Sequence, residues 1–111
     1  MATEVRRMDI QEFGDIMKDA NTRSLYQIVD VREADELDRS KISGDDIVHL
    51  PLSTAGEWTQ DIEQGKVLDA DKPVLCLCRA GVRSAQLAGF LASKDFVEVY
   101  NVEGGMMAYF S

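Results

Sequence analysis

Apolar residues in this chain gather in short runs, and the polar stretches between them carry helical spacing. Val5 to Met8 is short and mixed and predicts an edge strand. Asp9 then opens a helix. Its carboxylate suits the orphan N–H groups of a first turn, with Glu12 at capping-box spacing and Ile10, Phe13 and Met17 on one face. Gly14 costs that helix about 1 kcal/mol relative to alanine, and it is expected to fray near Asn21. Leu25 to Val31 is a β-branched run and predicts a buried strand. Ala34 to Arg39 is rich in helix formers with Leu37 as its one apolar anchor, so a short, solvated helix is expected, and its acidic cluster Asp35, Glu36 and Asp38 reads as a solvated face.

Ile42 to Asp46 reads as a turn, and Ile47 to Leu52 as a short strand stopped by Pro51. Thr54 and Glu57 repeat the capping-box spacing ahead of a second amphipathic helix that ends near Gly65, with Trp58 and Ile62 stacked four apart. Asp69 to Pro73 is a polar turn before Val74-Leu75-Cys76-Leu77, whose unbroken apolarity predicts the central strand, covered on both faces. The run from Ala85 to Ala92 predicts a helix that is apolar nearly all round, hence buried. Ala85, Ala88 and Gly89 would permit close approach to the sheet, with Leu87 and Leu91 as anchors. Phe96 to Val102 predicts the last strand, Gly104-Gly105 a tight turn and Met106 to Phe110 a terminal helical turn.

Strands alternating with helices predict an α/β fold with a mainly parallel sheet, in which ligands bind beyond the carboxyl ends of the strands. At 111 residues and 45% hydrophobic content the chain suits one domain, residues 1–111, without linker or repeat. Twenty acidic side chains against 12 basic ones oppose binding to nucleic acid or anionic lipid, so an anionic substrate must be caught by local geometry. No apolar run reaches the ~18 residues of a membrane span, and the stretch from Met1 to Arg7 lacks the apolar core of a signal peptide. The expected setting is the cytoplasm, or an organelle interior such as a plastid or mitochondrion after removal of a transit peptide. Cys76 and Cys78 form neither a Cys-x-x-Cys dithiol nor, beside a single histidine, a zinc site. No metal and no cofactor are expected, and a reducing compartment accounts for the free thiols.

The candidate chemistry lies in Cys78-Arg79-Ala80-Gly81-Val82-Arg83-Ser84, between the central strand and the helix after it. A cysteine at that junction faces orphan N–H groups and the positive end of a helix, which favour thiolate over thiol. Arg79 and Arg83 add forked donors for an oxyanion. Asp30-Val31-Arg32 follows another strand and can line the same edge. Cys76, two residues earlier on the same strand, reads as buried and inert. His49, alone at a strand end, reads as structural, and Trp58 as a packing anchor that alternatively lines a substrate mouth.

These residues together resemble a single-domain rhodanese, of the sulfurtransferase family. The resemblance runs through Ile28-Val29-Asp30-Val31-Arg32-Glu33, Glu36-Leu37, the turn Ile42-Ser43-Gly44, Leu50-Pro51-Leu52, the Cys78 to Ser84 loop and Gly104 to Tyr109. It implies a five-stranded, mainly parallel sheet flanked by helices on both faces. It also implies a Cys78 thiolate that takes the outer sulfur of thiosulfate or another persulfide donor and passes it on. By position, the backbone of Arg79, Ala80, Gly81, Val82 and Arg83 would hold the persulfide, Arg79 and Arg83 would bind sulfonate oxygens, and Asp30, Arg32 and Ser84 would support the loop. Thiol acceptors such as thioredoxin or glutathione, or cyanide, and a monomeric state are implied. Arginine falls five residues after the cysteine, whereas related phosphatases place it six after, where Ser84 stands here, so sulfur transfer is favoured over phosphate hydrolysis. The alternative from another class is a non-catalytic docking or redox-sensing module.

Overall fold

The computed structural model describes residues 3–42 and 44–110. Ser43, inside the turn expected over Ile42 to Asp46, lies outside the described residues. In chain order the elements are β1 (Val5–Met8), α1 (Ile10–Lys18), α2 (Ala20–Arg23), β2 (Gln27–Asp30), α3 (Ala34–Arg39), β3 (Ile47–His49), a 3-10 turn (Leu52–Thr54), α4 (Ala55–Glu63), β4 (Val74–Leu77), α5 (Val82–Ser93), β5 (Val99–Val102) and α6 (Gly105–Tyr109). The five strands form one sheet in the order β1-β5-β4-β2-β3, and every pairing is parallel. This is the expected α/β fold, with β4 in the centre and β1 at an edge.

The centrality of β4 follows from its sequence. Its side chains alternate between two cores, because successive residues of a strand point to opposite faces. Val74, Cys76 and, just beyond the strand, Cys78 join Trp58 and Ile62 of α4 and Leu87, Ala88 and Leu91 of α5. Leu75 and Leu77 join Phe13, Ile16 and Met17 of α1 and Met106 of α6. All four strand residues are fully buried. Each such side chain is worth about 1.5–3 kcal/mol, so the start of the following loop is anchored firmly.

Several local expectations shift. The Asp9 carboxylate does accept from the Glu12 N–H at 2.8 Å, but α1 stops at Lys18, and Asp19 starts the separate turn α2 by accepting from the Asn21 N–H at 3.0 Å. The strand ends are shorter than the apolar runs: Leu25 is left exposed, and β5 begins at Val99 rather than Phe96. Thr54 does not cap α4; its hydroxyl donates to the Pro51 carbonyl at 3.1 Å. Helix α5 buries only one side. Leu87, Ala88, Leu91 and Ala92 face the core while Ala85 and Gly89 are exposed, so of the three small residues only Ala88 meets the sheet. No helix among the described residues is long and apolar enough to cross a membrane.

Candidate active site

The loop at the carboxyl end of β4 folds back over its own cysteine. Gly81 adopts the left-handed conformation at φ 96°, which a side chain rarely tolerates, and this turns the chain into α5 at Val82. Its N–H then points at the Cys78 Sγ from 3.0 Å. The Ser84 hydroxyl lies 3.3 Å from the same sulfur and is itself fully buried. Burial pushes the Cys78 thiol up. Hydrogen bonds from the Ser84 hydroxyl and from the N–H groups of Ser84, Gly81 and Ala80 push it down by more, so its pKa lies below the ordinary thiol value. The N–H groups that face the sulfur are thus those of Ala80, Gly81 and Ser84. Val82 is 72% exposed at the rim.

The other cysteine has the opposite character. Cys76 is fully buried on the same sheet face, and burial first, then the neighbouring Cys78 charge, pushes its thiol well above the usual range. The environment leaves one thiol of the two poised to react.

Three contacts that the sequence pattern does not announce hold the loop. Asn101 of β5 donates from Nδ2 to the Gly81 carbonyl at 2.9 Å, which turns its Oδ1 toward the Ser84 hydroxyl. The single hydroxyl proton of Ser84 is therefore shared between Asn101 and the sulfur. From below, the N–H groups of Met106 and Met107 in α6 donate to the carbonyls of Cys78 and Arg79 at 2.8 and 2.9 Å. Gly105 makes this approach possible, since a Cβ there would stand 2.2 Å from the Cys78 carbonyl oxygen. The third contact is Glu36, which grips Arg83 through both carboxylate oxygens at 2.5 and 2.7 Å. Glu36 Oε1 also accepts from the Glu33 N–H at 3.1 Å. Arg83 holds its carboxyl down to about 2, so this residue leaves the solvated acidic cluster in which Asp35 and Asp38 remain exposed.

The two arginines of the loop consequently differ. Arg83 is engaged by Glu36, whereas Arg79 is exposed and lines a cleft of about 350 Å³ together with Arg32, Arg39, Met107 and Phe110. Asp30 and Arg32, each 2% exposed, form a buried pair at the end of β2. Arg32 Nε lies 3.1 and 3.0 Å from the two Asp30 oxygens, and its Nη2 donates to Asp30 at 2.9 Å and to the Ser40 carbonyl at 2.9 Å. This ties β2 to the end of α3, the helix that carries Glu36. His49 Nε2–H donates to the Arg32 carbonyl at 2.6 Å, which gives it a structural task in the same corner. Trp58 is buried, with its Nε1–H on the Pro51 carbonyl at 2.8 Å, and packs in the core rather than in the cleft. No group of residues able to hold a metal ion occurs among the described residues.

Known proteins resemble this chain in sequence and in fold. The putative sulfurtransferase YtwF of Bacillus subtilis is 37% identical over 82 residues, 74% of this chain and 71% of that protein. The chloroplastic rhodanese-like/PpiC domain-containing protein 12 of Arabidopsis thaliana is 34% identical over 105 residues, 95% of this chain. The chain spans 34% of that relative's length and 21% of the tRNA uridine(34) hydroxylase of Corynebacterium efficiens, to which it is 35% identical over 65 residues. Among solved structures, a rhodanese-related protein from Thermoplasma volcanium superposes with a TM-score of 0.73 at 26% identity, covering 95% of this chain and 90% of the other. The rhodanese-like domain model matches residues 9–111, and the chain belongs to the rhodanese-like domain family.

Proposed function

We propose that the protein is a sulfurtransferase that carries a sulfane sulfur on Cys78. The observation that carries this reading is the cradle: a thiol held below its ordinary pKa by Ser84 and by the N–H groups of Ala80, Gly81 and Ser84, on a loop braced by α6 and β5. Family membership and the likeness to the putative sulfurtransferase YtwF support it. The Cys78 thiolate attacks the outer sulfur of a donor such as thiosulfate or a persulfide, the donor's S–S bond breaks, and sulfite or a thiolate leaves. The new Cys78 persulfide inherits the donors that faced the thiolate. A second thiolate, such as that of glutathione or thioredoxin, or cyanide, then takes the terminal sulfur and regenerates Cys78. Asp30 and Arg32 hold the strand edge beside the loop and take no part in the transfer. The chloroplastic name of the Arabidopsis relative is compatible with a plastid setting.

The near-complete burial of Cys78, 1% exposed, favours as a second reading a docking module with little turnover. The test that separates the two is incubation with a sulfane donor, followed by measurement of sulfur on Cys78 and of thiocyanate formed on adding cyanide.

A further inference from the structure

We propose that Asn101 is a positioning residue for the transfer: it holds the Ser84 hydroxyl proton while the Cys78 sulfur is neutral and yields it to that sulfur when the sulfur becomes a thiolate. Its part in transfer rests on the sulfurtransferase reading above. The starting observation is a short chain of three side chains, Cys78, Ser84 and Asn101. The Ser84 Oγ lies 3.3 Å from Cys78 Sγ and within hydrogen-bond reach of Asn101 Oδ1. A hydroxyl has one proton to give, so it serves one of these two acceptors at a time. Ser84 is fully buried, which keeps solvent away from the exchange.

Asn101 is fixed in the accepting orientation. Its register partner in β4 is Cys76, so it rises on the sheet face that also carries Cys78. Its Nδ2 donates to the Gly81 carbonyl at 2.9 Å. The flipped amide would set Oδ1 against that carbonyl, two acceptors facing each other, so the oxygen must face Ser84. The titratable and charged groups of the surrounding elements are otherwise engaged. Cys76 of β4 stays protonated, because burial and the Cys78 charge push its thiol far up. Arg83 of α5 is paired with Glu36 of α3, whose carboxyl is held at about 2, Arg32 is paired with Asp30 at the end of β2, and Arg79 of the loop is exposed. Tyr100 of β5 packs against the opposite core, and α6 meets the loop through the backbone N–H groups of Met106 and Met107.

The charge on Cys78 Sγ changes within each cycle. As a thiol, or as the inner sulfur of a persulfide, it is neutral and needs no donor, and the Ser84 proton rests on Asn101. When an acceptor thiolate R–S⁻ attacks the outer sulfur of Cys78–S–SH, the new R–S bond forms and the old S–S bond breaks. Its electron pair leaves on Cys78 Sγ, giving R–S–SH and the Cys78 thiolate. The Ser84 hydroxyl then turns from Asn101 to the sulfur, because a charged acceptor is the stronger partner. Asn101 Oδ1 loses its donor in exchange, and that loss acts as a brake: the thiolate is less favoured than Ser84 alone would make it. A thiolate that is less favoured keeps more of its nucleophilicity for the next donor.

Two measurements on the sulfur-free protein test the exchange. In the first, the pH midpoint of Cys78 alkylation by iodoacetamide is measured for Asn101→Leu, with and without Ser84→Ala. Leucine keeps the branched shape and removes both polar atoms, and the Ser84→Ala background records whatever the lost Gly81 contact does to the loop. With Ser84 present, the substitution is expected to move the midpoint to a value about one pH unit lower, relative to its effect in Ser84→Ala, the equivalent of one hydrogen bond no longer contested. In the second, which needs no change at Asn101, the carbon NMR signal of the Asn101 side-chain carbonyl is followed against pH. It is expected to titrate with the Cys78 midpoint in the wild type and to lose most of that shift in Ser84→Ala. Equal effects of Asn101→Leu in both backgrounds, a midpoint that rises more with Ser84 present, or a carbonyl signal that ignores Cys78 ionisation or follows it equally without Ser84 would each overturn the proposal. Absence of sulfur on Cys78 from any donor is a separate result, which removes the sulfurtransferase reading and leaves these two readouts to decide the proton exchange.

Discussion

Replacing Gly105 by alanine tests the support beneath the reactive loop. The residue sits at φ 53°, where an L side chain costs about 1–2 kcal/mol. Its Cβ would lie 2.2 Å from the Cys78 carbonyl oxygen and 2.8 Å from the carbonyl carbon and oxygen of Arg79. All three atoms are backbone, so no side chain can rotate out of the way, and α6 must move off the loop. Overpacking of that kind typically costs about 1–3 kcal/mol. The displacement also breaks the bonds from the Met106 and Met107 N–H groups, each worth about 0.5–1.5 kcal/mol net. A loss of about 4 kcal/mol is expected, a large share of the ~5–15 kcal/mol that stabilises a domain. Urea unfolding measures it directly, and iodoacetamide trapping in the native baseline reports whether Cys78 is uncovered. Gly89→Ala is the matched control: nothing lies within 4 Å of its Cβ position on the exposed side of α5, so it should gain about 0.5–1 kcal/mol from helix propensity. A Gly105→Ala protein within about 1 kcal/mol of the wild type would refute the argument that α6 is locked to the loop by this close approach.

Two other perturbations address the groups around the sulfur. Ser84→Ala removes the first of the contacts that lower the Cys78 pKa, so the midpoint of its alkylation rate against pH should rise by about one pH unit; an unchanged midpoint would mean that the hydroxyl serves Asn101 alone. Asp30→Asn leaves Arg32 charged and uncompensated at 2% exposure, and chemical denaturation should register a loss of about 3–5 kcal/mol, whereas a loss below about 1 kcal/mol would show that the Ser40 carbonyl and nearby water suffice for that arginine.

Much of the architecture was readable along the chain because its signals are local. The unbroken apolarity of Val74 to Leu77 marked the central strand, and the change at Cys78 to a glycine-containing turn and then helix formers marked the reactive loop. What escaped is set by sheet order and helix phase. Glu36 looks like Asp35 and Asp38 in a short acidic helix, and only the placement of α3 beside the start of α5 brings it to Arg83 across 47 positions of sequence. Asn101 lies in a strand whose neighbours are apolar, and its contact with Gly81 exists because β5 pairs with β4. A helix apolar on most sides gives no phase, so its sequence does not separate Ala85 and Gly89, which face solvent, from Ala88, which meets the sheet. Gly105 was legible as a turn residue; its closeness to the Cys78 carbonyl was not, because that contact joins two separate segments.

The central claim is that Cys78 carries the sulfur. The direct measurement is intact mass of the reduced protein after exposure to a sulfane donor, compared with Cys78→Ser and Cys76→Ser, with cyanide added to each. One added sulfur atom that cyanide removes as thiocyanate, present in the wild type and Cys76→Ser and absent in Cys78→Ser, is the predicted result. An adduct that survives in Cys78→Ser, or a wild type that takes up no sulfur from thiosulfate or from a persulfide with Cys78 reduced and free, would contradict the account.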